Sequence, residues 1–146
     1  MSRLTTFVST NQTELTRFFK FAIVGTLGAV IDFGTLNLLV LLFGVPKEIA
    51  NLVSFSCAVV SNFIWNRLWT FPESRERELH TQFGQFAAVN VVGLVVNEII
   101  FVASDRLVFA ALLPHPLDYN VAKAVAVIVV LFWNFFVNRH WTYRGI

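Results

Sequence analysis

The sequence predicts an all-α integral membrane protein: four transmembrane helices forming two parallel two-helix repeats, with both termini in the cytoplasm. Three observations lead there. Of the 146 residues, 56% are apolar and 14% charged, and mean hydropathy is +0.67. A soluble domain carries about a quarter charged residues and needs polar surface all round. Four apolar runs each approach the ~20 residues that cross ~30 Å of hydrocarbon as a helix. Finally, the second half of the chain repeats the first. A soluble enzyme, a disordered tail and a disulfide-rich module are all excluded. Cys57 is the single cysteine and lies within an apolar run, so it reads as a small buried apolar residue. The net charge is +2 and the pI about 9.0. The basic residues flank apolar runs, which points to membrane topology rather than to nucleic acid.

Residues 1–17 form a polar cytoplasmic segment without the apolar core and cleavage site of a signal peptide. Within it, Asn11-Gln12-Thr13-Glu14 reads as a capping box opening a helix. The four-helix domain then occupies 18–146. Its apolar runs are Phe18–Phe43, Ile49–Trp65, Phe83–Ala103 and Val121–Val137. Helices are expected because lipid offers the backbone no other partner. A barrel strand would alternate in hydrophobicity, and these runs do not.

Gly44-Val45-Pro46-Lys47 makes a tight turn, and Pro72–His80 is a charged loop. Ser104–Asn120 is longer. Its apolar stretch Leu107–Leu113 is too short to span and is expected in the interface. With the N-terminus in the cytoplasm, that side holds Arg3, Arg17, Lys20, Arg67, Arg75, Arg77, Arg139 and Arg144. Only Lys47, Arg106 and Lys123 lie opposite, a positive-inside bias. His80, His115 and His140 fall outside the spans.

The repeats cover about 17–71 and 82–143. Phe18, Phe21, Ala22, Val24, Gly28 and Val30 recur 65 residues later as Phe83, Phe86, Ala87, Val89, Gly93 and Val95. Asn62, Phe63, Asn66, Arg67, Trp69 and Thr70 recur 72 residues later as Asn134, Phe135, Asn138, Arg139, Trp141 and Thr142. A two-helix repeat returns to its starting side, so the copies share an orientation, related by an axis along the membrane normal.

Asp32, Glu98 and Lys123 lie within apolar runs. Each costs roughly 2.5–3.5 kcal/mol if charged at the bilayer centre, so each needs a partner, a watery cavity or a proton. Lys123 against Glu98 or Asp32 is a candidate pair. Small and polar residues at helical spacing mark expected seams: Ala22, Gly25, Ala29 and Asp32; Asn51, Ser54, Ala58, Ser61 and Trp65; Asn90, Gly93 and Asn97; Lys123, Ala126, Trp133, Asn134 and Asn138.

The paired Asn-Phe-x-x-Asn-Arg-x-Trp-Thr segments carry the most specific chemistry. Arg67 and Arg139 offer a fixed fork of donors suited to a phosphate. Asn62, Asn66, Asn134 and Asn138 can bond sugar hydroxyls, and Trp69 and Trp141 can stack on a sugar or anchor the helix. A snorkelling arginine beside an aromatic anchor explains one such segment but not two in register. The sequence shows no Gly-rich phosphate loop, no metal-spaced His/Cys cluster and no triad.

The first-helix residues Phe18, Phe21, Val24 and Gly25, with the duplicated Asn-Phe-x-x-Asn-Arg-x-Trp signatures, resemble the GtrA-like proteins over about residues 15–144. The resemblance implies four transmembrane helices in the cytoplasmic membrane of a bacterium. It implies translocation of a polyprenyl-phosphate-linked monosaccharide for cell-surface polysaccharide synthesis, beside a membrane glycosyltransferase. Some similar domains accompany enzymes resembling dolichyl-phosphate mannose synthase. The motif positions carried over are Asn62, Asn66, Arg67 and Trp69, with Asn134, Asn138, Arg139 and Trp141, and Asp32 and Asn51 match polar positions of the first half. The second half departs at Asn90 for Gly25, Asn97 for Asp32 and Lys123 for Asn51.

The sequence therefore predicts a non-enzymatic flippase without cofactor or metal. Arg67 and Arg139 are assigned to the lipid phosphate, and Asn62, Asn66, Trp69, Asn134, Asn138 and Trp141 to the head group. Asp32, Asn51, Glu98 and Lys123 are assigned to a polar route through the core. The expected partners are the lipid-linked sugar, membrane lipid and a glycosyltransferase. Four helices enclose little space, so a homodimer or other oligomer is expected. Two rivals remain: a non-transporting subunit of a glycosyltransferase, and a proton-coupled exporter resembling small multidrug transporters.

Overall fold

The computed structural model describes the backbone of residues 3–114 and 117–146, and the side chains of these except residues 3–7, 47, 48, 51, 98, 119, 120 and 123. Four long helices account for most of it: α1 (Arg3–Asn37), α2 (Lys47–Trp65), α3 (Leu79–Ser104) and, after the short α4 (Ala110–Leu112), α5 (Leu117–Val137). The chain divides into two compact units, Met1–Leu79 with Ile146, and His80–Gly145. Each contains two of the long helices.

Among the described residues, Val8–Leu42, Leu79–Leu112 and Ala124–Thr142 are each long and apolar enough to cross a bilayer. With the nineteen residues of α2, about 28 Å at 1.5 Å per residue, they match the expected four. Much of the outer surface is apolar, unlike that of a water-soluble fold. Ser54, Asn66, Thr70, Asn138 and Thr142 are buried, whereas Leu41, Leu42, Phe43 and Leu107 are at least 70% exposed. Water would penalise that arrangement, while hydrocarbon accepts outward leucines and favours small and polar residues between helices.

Each long helix ends in a wide five-residue π turn: Leu38–Leu42, Asn66–Thr70, Asp105–Phe109 and Asn138–Thr142. The first closes at Gly44, whose φ of 64° is left-handed, and the Val45 amide reaches the Leu39 carbonyl at 3.0 Å. Glycine serves there because a Cβ would clash in that conformation. The second runs through Phe71 into a 3-10 turn, Pro72–Glu76.

Several expectations need correction. Helix α1 is continuous from Arg3, so Asn11 lies in its interior and caps nothing. Glu14 instead pairs with Arg17 at 2.9 Å. Most of Leu107–Leu113 is helix rather than loop, because α3 continues through its π turn to Leu112. Cys57 is exposed on α2 rather than buried. The packed stripe of α1 is Phe21, Val24 and Gly28, so the predicted stripe sat about one position off and Ala29 faces outward. The reason is steric, since packing places the glycine against the Asn62 amide of the partner helix.

Candidate functional site

In the first unit, α1 and α2 meet at Gly28, where a Cβ would collide with the terminal amide of Asn62. In the second unit, α3 and α5 meet at Gly93, where a Cβ would fall 2.7 Å from Asn134 Oδ1. Phe21, Val24, Ala50 and Ser54 are buried in the first unit, and their counterparts Phe86, Val89, Ala122 and Ala126 in the second. Neither Asn62 Oδ1 nor Asn134 Oδ1 has a hydrogen-bond partner among the described residues. Both are buried acceptors, and an unmet acceptor of this kind costs about 1–3 kcal/mol.

One helical turn further along, the second asparagine of each motif serves the fold. The Thr70 hydroxyl donates to Asn66 Oδ1 at 2.8 Å, and the Thr142 hydroxyl to Asn138 Oδ1 at 2.7 Å. All four residues are at most 2% exposed. Asn138 Nδ2 also donates to the Asn134 carbonyl at 2.8 Å. The wide turn then closes when the Phe71 amide reaches the Asn66 carbonyl at 2.7 Å and the Tyr143 amide reaches that of Asn138 at 2.8 Å. A threonine–asparagine bridge beneath a π turn thus occurs in each unit.

The arginines brace these turns. Arg67 Nη2 donates to the carbonyls of Arg75 at 2.8 Å and Arg77 at 2.9 Å, and Arg75 Nη2 returns to the Leu68 carbonyl at 2.7 Å. Arg139 Nη1 donates to the Tyr143 carbonyl at 3.1 Å. The bracing role was invisible in the sequence, because it depends on carbonyls that the π and 3-10 turns expose. Trp69 and Trp141 are 40% and 47% exposed.

Asp32 is half-buried, and its Oδ1 lacks a hydrogen-bond partner among the described residues. The side chains of Asn51, Glu98 and Lys123 lie outside the described residues, as does that of His115. No group of metal-ligating side chains occurs among the described residues.

Sequence reasoning missed Lys20. Its ammonium lies 5.3 Å from the centroid of the Trp69 ring, within cation–π range, and 3.4 Å from the Trp69 carbonyl. On one side is a polar recess of about 380 Å³ lined by Thr13, Thr16, Arg17, Lys20, Thr70 and Glu73, among others. On the other is an apolar groove of about 410 Å³ lined by Ile23, Val24, Leu27, Trp65, Leu68 and Trp69. The sequence did carry a sign of this, since residues 20, 23, 24 and 27 share one helix face.

The family model for the GtrA/DPMS transmembrane domain matches residues 20–143. The chain belongs to that family. This GtrA/DPMS member is therefore a multi-pass membrane protein. It is 33% identical over 130 residues to a dolichol-phosphate mannosyltransferase of Pyrococcus furiosus, covering 89% of the chain and 34% of that relative. It is also 26% identical over 124 residues to an uncharacterized membrane protein of Bacillus subtilis, YngA, covering 85% of the chain and 77% of that relative. The GtrA/DPMS chain thus spans about a third of the mannosyltransferase.

Proposed function

We propose that this chain moves a polyprenyl-phosphate-linked monosaccharide from the cytoplasmic to the outer leaflet of a bacterial cytoplasmic membrane, for cell-surface polysaccharide synthesis or modification. The observation that carries this reading is the 33% identity over 130 residues to a protein named for a dolichol-phosphate sugar reaction. Dolichol phosphate is itself a polyprenol-type phosphate. The chain performs no bond chemistry in this reading. The π turn of each unit meets the head group at the cytoplasmic rim. Arg67 and Arg139 brace the turns and offer their guanidinium edges to phosphate. Asn66 and Asn138 hold the turns in shape. Asn62 and Asn134 carry acceptors for sugar hydroxyls, and Trp69 and Trp141 offer apolar faces. Asp32, with Asn51, Glu98 and Lys123, supplies polar positions along the spans, and the polyprenyl tail stays in lipid. A homodimer provides the space that four helices lack.

The test is translocation in sealed vesicles containing the full chain and polyprenyl-phosphate sugars extracted from the native membrane. Loss of the outer-leaflet lipid-linked sugar to an added impermeant glycosidase, refilled only when the protein is present, is expected. No protein-dependent refilling would remove the flippase reading. A second reading, a subunit that anchors a membrane glycosyltransferase, is favoured by one observation: the chain spans only 34% of its longer mannosyltransferase relative. Co-purification of a transferase without translocation would favour it.

A further inference from the structure

We propose that Lys20 and Trp69 form the head of a lipid-phosphate site confined to the first unit. The phosphate of a polyprenyl phosphate sits on the Lys20 ammonium, and its first isoprene units lie in the groove beneath. This rests on the lipid-linked reading above and deepens it, because it moves the principal phosphate contact from the motif arginines to a residue outside the motif.

Three observations carry it. The first is charge. Arg17 takes two carboxylates, Glu14 at 2.9 Å and Glu73 at 3.4 Å, and its guanidinium carbon stands 5.6 Å from the centre of the Phe71 ring. Arg67 and Arg139 donate to backbone carbonyls. Lys20 has no carboxylate partner among the described residues. Its one polar contact, to the Trp69 carbonyl, is long at 3.4 Å.

The second is polarity across the site. The recess and the groove adjoin at Lys20 and Trp69, with hydroxyls of Thr13, Thr16 and Thr70 on one side and carbon on the other. Such a junction fits a molecule with an anionic head and an apolar tail. From Ile23 to Leu27 the groove follows about one turn of α1, about 6 Å at the helical rise. That is deep enough for the first part of a chain. The groove is flanked by the indoles of Trp65 and Trp69, flat apolar walls that suit a branched isoprenoid chain.

The third is the contrast between halves. The second half carries Gln82 and Gln85 where the first carries Arg17 and Lys20. The motif residues recur in both halves, so the cation, not the motif, distinguishes the first.

The experiment uses the full chain in detergent and three probes: a polyprenyl phosphate, the matching polyprenol, and phosphatidylglycerol. Binding is read by native mass spectrometry. Wild type is expected to retain the polyprenyl phosphate about tenfold over both other lipids. Lys20→Gln is expected to lose about tenfold or more, the size of one charge-assisted contact, and Lys20→Arg to stay within about threefold. Glutamine is the residue of the matching position in the second half, and an unchanged melting temperature would show that the variant folds. Wild-type affinity in Lys20→Gln would overturn the assignment, as would equal binding of phosphatidylglycerol. If Lys20→Gln binds normally while Arg67→Ala with Arg139→Ala does not, the Lys20 assignment alone falls. If wild type binds no polyprenyl phosphate, the functional reading falls with it.

Discussion

At Gly28 the chain has no room for a side chain. Gly28→Ala drives a methyl into Asn62, and Gly93→Ala drives one towards Asn134. Each is expected to destabilise the protein by about 1–3 kcal/mol, the usual cost of overpacking, read as a lower melting temperature in detergent. Gly25→Ala is the control, because nothing lies within 4 Å of its added carbon. The threonine–asparagine bridges lead to a similar expectation. Thr70→Val leaves Asn66 Oδ1 without its donor and should cost about 1 kcal/mol, the usual net worth of a buried hydrogen bond. Thr142→Val should behave alike through Asn138. Asn62, Asn66 and their second-half partners were all legible as special positions, because two asparagines one helical turn apart, twice, demand a reason. Their division of labour was not legible. Whether an amide points at a neighbouring hydroxyl or at a glycine depends on helix rotation, and the stripes read from spacing sat a position off on α1.

Among the elements, the wide turns set the geometry of the site. Four long helices and their approximate bounds followed from hydropathy and Pro/Gly punctuation. The π turns did not, because a helix that widens by one residue keeps its apolar pattern. The capping box failed for a related reason. Asn11 to Glu14 has capping residues, but the helix already runs from Arg3, so they lie inside it. Arg67 ties the turn at Asn66–Thr70 to the following 3-10 turn through the Arg75 and Arg77 carbonyls. Arg67→Ala should therefore raise amide exchange of Ser74 and Arg77, whose own amide bonds close that turn, while leaving the Tyr143 amide unchanged. Faster exchange at Tyr143 as well, or none at Ser74 and Arg77, would show that the arginine does not brace the loop. Lys20 was legible as a positive-inside charge on the helix face of Ile23, Val24 and Leu27, but the far wall of the groove comes from residues more than forty positions away, Trp65 to Trp69.

For the whole molecule, the proposal commits to an orientation and to a cargo. With both termini in the cytoplasm, the Pro72–Glu76 turn lies inside and the Gly44 turn outside. In a Cys57→Ser background, Arg75→Cys should react with an impermeant maleimide only from the cytoplasmic face, and Val45→Cys only from the outer face. The reverse pattern would invert the orientation and move Lys20 to the wrong leaflet. The exposed apolar surface of the chain and its place in the GtrA/DPMS family make it a membrane protein. The cargo is the central claim. Native mass spectrometry of the protein extracted gently from its own membrane tests it most directly. A bound polyprenyl phosphate or its sugar conjugate, whose mass names the sugar, is expected, and is expected to be lost in Lys20→Gln. A protein that emerges without such a lipid, with a glycosyltransferase bound in its place, would contradict it.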